Sequence, residues 1–276
     1  MSKTTALSDR MKRYELSSKD YLPLKTPAII RVDGRAFHTF TRGFKKPFDA
    51  ILMDCMQKTM KALCEEIQGC VLGYTQSDEI SLVLIDYQSH ETAAWFDYCV
   101  QKCSSIAASK ATKHFNRFFY EAVTKYDEEM YEAWNVSDED KKYITALLKA
   151  RDMGAEFDAR IFSMPQSEVC NYIFWRQDDA TRNSIQMAGH AYFSKNEMHR
   201  KSNNQVQDML FLQKNINWND YPVPQKRGTC CIKEDAIIER DGEKIIRKKW
   251  KLDMNIPIFT GDDRKYVEDQ ILINRK

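Results

Sequence analysis

The chain has 276 residues, 43% hydrophobic and 30% charged, and its 42 basic and 40 acidic side chains leave a net charge of +2. That is the make-up of an ordinary soluble protein with room for one large domain or two small ones, and so small a net charge does not by itself announce a polyanion partner. No apolar run reaches the length of a membrane span, and Met1–Ala6 lacks the apolar stretch of a secretory signal, so no membrane partner and a cytoplasmic location are expected.

Ala28–Val32 reads as a buried strand running into Asp33, and Gly34–Pro47 follows as a polar, basic connection. Phe48–Ile67 has helical spacing through Ile51, Leu52, Cys55, Met56, Met60 and Leu63. Cys70–Asp86 reads as a hairpin with Ser77-Asp78-Glu79 at or near its tip, and Thr92–Thr124 as a long helical stretch. Tyr126–Met153 reads as an acidic surface insertion, with seven carboxylates between Asp127 and Asp140, closed by Gly154. A strand is expected at Glu156–Met164, a helix at Ser167–Ala188, and one or two short helices in the polar run Ser194–Asn215. Asp241-Gly242 marks a final hairpin between Cys230–Arg240 and Lys244–Met254. The simplest architecture is an α+β, palm-like antiparallel sheet with helices on one face, a helical insertion and a C-terminal hairpin. Residues 1–230 would form the palm, with the insertion at about 126–153, and 231–276 an extension of the same domain.

The eight cysteines form no C-x-x-C pair and several lie in apolar stretches, which predicts reduced core residues rather than a zinc site or a disulfide framework.

The β-α-β-β order can bring Asp33 and Asp78 together on neighbouring strand ends, as a two-metal phosphoryl-transfer centre requires. Strand-end and turn acids are also common for purely structural reasons. As hard oxygen ligands they suit magnesium arriving with a triphosphate, and Glu79 could complete the shell or orient a metal-bound water. Gly34 permits close backbone approach, successive N–H groups after it can hold phosphate oxygens, and Arg35 and Lys46 would add charge-assisted contacts. His38 reads either as a phosphate or base contact or as a surface histidine. Lys110, Lys113, His114 and Arg117 fall on one helix face, a stripe suited to phosphate, although a solvated face is the ordinary reading. Lys244–Lys251, with Trp250 inside it, would suit either an RNA contact or an exposed strand.

The run Arg31-Val32-Asp33-Gly34-Arg35-Ala36-Phe37-His38, with Lys46-Pro47 and Gln76-Ser77-Asp78-Glu79, resembles the tRNA(His) guanylyltransferase family. The resemblance continues through Phe157-Asp158-Ala159-Arg160, Phe174-Trp175-Arg176-Gln177 and Lys226-Arg227-Gly228-Thr229, roughly residues 5–230 in all. It implies a polymerase-like palm working in the 3′-to-5′ direction, in which the 3′-hydroxyl of a nucleoside triphosphate attacks an activated RNA 5′ end. It implies two Mg2+ ions on Asp33, the Gly34 carbonyl and Asp78, with Glu79 adjacent. Nucleotide contacts from Arg35, Ala36, Phe37, His38, Lys46 and Ser77 are implied, as are ATP and GTP as substrates, tRNA as partner and a homotetramer.

Thr181-Arg182-Asn183-Ser184-Ile185 stands where the histidine-tRNA-specific branch carries a His-Ile-Asn-Asn segment. The chain is thus similar to the guanylyltransferase-like branch, which repairs truncated tRNA 5′ ends on a template, with strict tRNA(His) guanylylation the alternative. Arg182 and Asn183 are then expected to meet tRNA, together with Lys110, Lys113, Arg160, Lys226 and Arg227. A palm-sharing diguanylate cyclase would need Gly-Gly before its acidic pair, where this chain has Gln76-Ser77. A catalytically silent tRNA-binding scaffold would have no reason to keep two like charges close together.

Overall fold

In the computed structural model of the chain, residues 6–132, 136–240 and 243–272 are described. The strands are β1 (Ala28–Gly34), β2 (Cys70–Gln76), β3 (Glu79–Leu84), β4 (Phe157–Ser163), β5 (Thr229–Arg240) and β6 (Glu243–Asp253). The helices are α1 (Ala6–Leu16), α2 (Phe37–Phe40), α3 (Ala50–Glu66), α4 (Val100–Glu132), α5 (Asp138–Met153), α6 (Gln166–Tyr192), α7 (Lys195–Met198), α8 (Asn203–Lys214), α9 (Val223–Arg227) and α10 (Lys265–Ile271). The strands form one antiparallel sheet in the order β4-β1-β3-β2-β5-β6. This is the expected α+β palm.

Strand alternation sorts the side chains. Ala28, Ile30 and Val32 of β1, with Ile80, Leu82 and Leu84 of β3, face α3, α4 and α5. Ile29 and Val83 point the other way, into a second core with Val169 and Ile173 of α6 and Val267 and Ile271 of α10. The sheet therefore carries a helical layer on each face, one more than the sequence reading anticipated.

The long helix starts at Val100, not Thr92, because Phe96, Asp97 and Tyr98 turn through positive φ (50°, 53° and 53°) just before it. At its other end it runs to Glu132 and absorbs the first residues assigned to the insertion. Residues 133–135 of the insertion lie outside the described residues, and α5 follows, capped by Ser137 and closed at Gly154 with φ +72°. It is not merely a surface element: Tyr143, Leu147 and Ala150, at i, i+4 and i+7, are buried against the core. Asp138, Glu139 and Asp152 are exposed, and Asp140 sits one turn before Tyr143.

β5 pairs with β2 only from Thr229 to Ile232, so the C-terminal hairpin continues the palm's sheet before leaving it as a two-stranded ribbon. Thr229 lies opposite Thr75, near the hairpin tip at Ser77, and the ribbon runs away from that end. The Asp241-Gly242 turn lies outside the described residues. All eight cysteines are free and buried. Among the described residues no helix is long and apolar enough to cross a membrane.

Candidate active site

Three rows of side chains cross the face of the sheet that carries α6. The first is Asp158, Asp33, Glu79 and Gln76, the second Arg160, Arg31, Ser81 and Tyr74, and the third Phe162, Ile29, Val83 and Leu72. An acidic row thus lies over a row holding two arginines, and that row over an apolar one. Like charges directly opposite on neighbouring strands repel, so the acidic row needs cations.

The arginines supply part of that need. Glu79 is buried, with its two oxygens gripped by Arg176 of α6, Nε to Oε1 at 2.7 Å and Nη2 to Oε2 at 2.8 Å. Arg31 Nη2 approaches the same carboxylate at 2.6 Å and Asp33 more loosely at 3.7 Å. Burial pushes the Glu79 carboxyl up, and the guanidinium groups of Arg176 and Arg31 oppose it. The expectation that Glu79 completes a metal shell meets a carboxylate already held by two arginines.

Asp33 and Asp78 are placed differently. β2 and β3 are joined by Ser77 and Asp78 alone, with Ser77 at φ +50°. The Gly34 N–H donates to the Asp78 carbonyl at 3.1 Å, which ties the end of β1 to that tip. Asp78 is half-buried, and burial pushes its carboxyl up; the Ser77 hydroxyl lowers it and the charge of Asp33 raises it again. This is a pair of acids with too little cation beside it, and a divalent ion would correct that. Among the described residues no three His, Cys, Asp or Glu side chains form a cage for an ion. An ion here would rest on the two carboxylates, the Gly34 carbonyl, water and substrate phosphate, a donor set of hard oxygens that fits magnesium.

The turn after Gly34 is built for close approach. A Cβ on Gly34 would lie 2.3 Å from the Phe37 ring, so only glycine fits over that side chain. Ala36 takes a left-handed conformation, φ 54° and ψ 32°. The N–H groups of Ala36, Phe37 and His38 find no backbone acceptor among the described residues, which leaves three successive donors suited to an anion. The Phe37 side chain is core, packed on Phe40, Phe115 and Phe157, so it can offer a ligand only its backbone. His38, Lys46 and Ser77 are exposed, and Arg35 pairs with Glu156 at 2.5 Å.

Of the residues expected at RNA, Asn183 and Lys226 line one cleft of about 640 Å³, open mouth included, beside Ser77. Its walls include Leu52, Met53 and Met187. Arg182, also on α6, pairs with Asp178 and Asp179 at 3.2 and 3.3 Å. Arg160 sits at the sheet edge, 3.3 Å from Asp158, and Arg227 offers its carbonyl to the Tyr74 hydroxyl. The basic stripe on α4 does not stand free: Lys110 pairs with Glu66 of α3, and the buried His114 has Nε2 2.8 Å from the same carboxylate. Lys113 remains exposed.

Sequence reasoning missed Arg31, Arg176, Asp158 and Asp179 as members of the site. Arg31, Asp158 and Arg176 all lie inside the family-like motifs; Arg31 and Asp158 fall in these rows through the strand register, whereas nothing local in the sequence marks Arg176 as the partner of Glu79.

An antiparallel palm with two acids converging at adjacent strand ends, beside free backbone donors, is an arrangement suited to metal-assisted phosphoryl transfer. The family model described as tRNAHis guanylyltransferase matches residues 8–165, more than half of the chain. The chain belongs to the tRNA(His) guanylyltransferase family. It is similar to a bacterial tRNA(His) guanylyltransferase-like protein solved with ATP, at 39% identity and TM-score 0.79, covering 98% of this chain and 100% of that one. A GTP complex of such a bacterial protein matches at 37% identity and TM-score 0.74, covering 96% and 99%. A probable tRNA(His) guanylyltransferase of Dictyostelium discoideum is 26% identical, over 81% of each chain.

Proposed function

We propose that the chain adds nucleotides to the 5′ end of tRNA in the 3′-to-5′ direction, chiefly as templated repair of 5′-truncated tRNA. What carries this reading is the meeting of Asp33 and Asp78 at the hairpin tip, with the free N–H groups of Ala36, Phe37 and His38 beside them. Those N–H groups and Lys46 would hold the triphosphate of an incoming nucleotide, ATP or GTP, as the bacterial relatives' complexes suggest. Bound magnesium would supply charge stabilisation to the phosphates as the nucleotide's 3′-hydroxyl attacks the RNA 5′ phosphorus, releasing AMP from an adenylylated end or pyrophosphate from a triphosphate end. Glu79 then serves as a positioning residue that holds Arg31 and Arg176 behind the acids. Catalysis would consist mainly of orienting the substrates and neutralising charge, with no covalent protein intermediate.

Thr181-Arg182-Asn183, in place of the histidine-bearing segment of the tRNA(His)-specific branch, supports repair over maturation. The Asn183–Lys226 cleft beside Ser77 is a fitting place for RNA. Assembly as a homotetramer belongs to the same reading, by resemblance.

The test is incorporation of labelled GTP, with magnesium and ATP, into two 5′-monophosphorylated tRNAs. One is tRNA(His) lacking its extra 5′ guanosine, the other a tRNA missing its first templated G. Label in the truncated tRNA supports repair, and label mainly in tRNA(His) restores maturation. No label in either, even from a 5′-triphosphate end, leaves a tRNA-binding scaffold.

A further inference from the structure

Between α2 and α3, residues 41–49 carry Lys46 and contain no strand, and α5 packs along this segment. Gly43 adopts φ +91°, and a Cβ there would stand 2.9 Å from the Ala146 methyl. Lys45 Nζ lies 4.6 Å from the centre of the Tyr143 ring, 5.7 Å from that of Tyr126 and 3.5 Å from Asp140 Oδ1. The two tyrosine rings meet edge to face at 5.5 Å. Asp140, Tyr143 and Ala146, three residues apart on α5, thus present a continuous face to the segment.

The centre of this contact is Asp49, a buried carboxylate. Its Oδ1 caps α3 by accepting the Leu52 N–H at 2.9 Å. Its Oδ2 accepts the Lys45 N–H at 3.1 Å and the Tyr143 hydroxyl at 2.7 Å. Burial and the neighbouring Asp49 push the Tyr143 hydroxyl far up, so it stays a donor. Lys46 lies between the two anchored residues, Lys45 and Asp49, with its own side chain exposed.

We infer that α5 is a positioning element for nucleotide binding: through Tyr143, Asp49 and Lys45 it holds Lys46 in place to receive the triphosphate. The inference rests on the reading of Lys46 as a phosphate contact. A loop ordered before the ligand arrives loses less freedom on binding, so the effect belongs in affinity rather than in the chemical step. It also gives the acidic insertion a purpose that its carboxylates do not suggest.

Tyr143→Phe keeps the ring beneath Lys45 and removes one hydrogen bond. Steady-state addition of GTP to truncated tRNA should show KM for GTP raised about three- to ten-fold, the worth of one such bond, with kcat little changed. Amides of residues 43–49 should exchange faster with solvent. Lys46→Ala should raise KM as well, and the double variant no further, because Tyr143 acts through Lys46. Lys45→Met, at a half-exposed side chain, should raise KM in the same way and serves if Tyr143→Phe fails to fold. An effect of Lys46→Ala with none from Tyr143→Phe or Lys45→Met overturns the inference while sparing the reading of Lys46. Additive effects in the double variant overturn it too. A KM unmoved by Lys46→Ala removes the reading of Lys46, and this inference with it.

Discussion

Arg176 reaches from α6 to clasp Glu79 on β3 through two parallel hydrogen bonds, and each of these side chains is about 95% buried. The guanidinium also donates to Asp179 at 3.0 Å, and Asp179 is 3.3 Å from Arg182. A chain of alternating charge therefore runs from Asp33 through Arg31, Glu79, Arg176 and Asp179 to Arg182 at the surface. Removing one partner of a buried pair strands the other charge, so Arg176→Ala should destabilise the fold by about 3–5 kcal/mol. Arg176→Lys should recover only part of it, because an ammonium cannot make the two-pronged contact. Thermal and denaturant unfolding of the two variants measure this; an alanine variant as stable as the parent would mean the pair is loose in solution.

Asp78 should behave in the opposite way. Burial and the charge of Asp33 disfavour its ionised form, so the folded chain without a cation is strained by this carboxylate. Asp78→Asn should leave the melting temperature unchanged or raise it, while nucleotide addition falls about 10²–10³-fold or more. Melting curves without magnesium, paired with the incorporation assay, check both halves. A variant that melts lower would show that the carboxylate serves the fold.

The palm was legible because its strands are short and their apolar residues bounded by acids and glycine. Asp33 and Asp78 stood out because each ends an apolar run, and two residues between β2 and β3 leave little choice of register. The second helical layer was not legible as such, since the apolar residues of α6 do not announce which face of the sheet they cover. The same gap hid Arg176, whose meaning depends on where α6 crosses β3. In α5 the acidic composition masked Tyr143, Leu147 and Ala150, a core-facing pattern in a short helix. On α4, helical spacing found the basic stripe, but only the tertiary packing shows Glu66 taking Lys110 and His114.

Gly34 ought to tolerate no side chain. The added methyl of Gly34→Ala would meet Phe37 Cδ2 at 2.3 Å, and Phe37 is wedged among Phe40, Phe115 and Phe157. Either the ring or the turn must move, at a cost of about 1–3 kcal/mol by analogy with overpacked cores. Moving the turn displaces the N–H groups of Ala36 to His38, so KM for the nucleotide should rise along with the loss of stability. A fluorescent nucleotide titration beside a melting curve reads both, and unchanged values in each would show that the turn adapts freely.

Glu66 links stability to acid. The Lys110 ammonium beside it, with a further pull from His114, holds its carboxyl below the ordinary value of 4.5, against a smaller opposing effect of burial. The folded chain therefore binds this proton less tightly than the unfolded chain does. Its contribution is complete above 4.5 and is lost as pH falls through the lower folded value. Glu66→Gln, which keeps the shape and removes the charge, should melt below the parent at neutral pH, modestly because the carboxylate is partly solvated. The gap between the two melting temperatures should close on acidification below pH 4.5 and stay constant from there to pH 6. A gap independent of pH down to the acid limit would mean that Glu66 contributes packing alone, and that Lys110 is free for the phosphate role its position in the stripe first suggested.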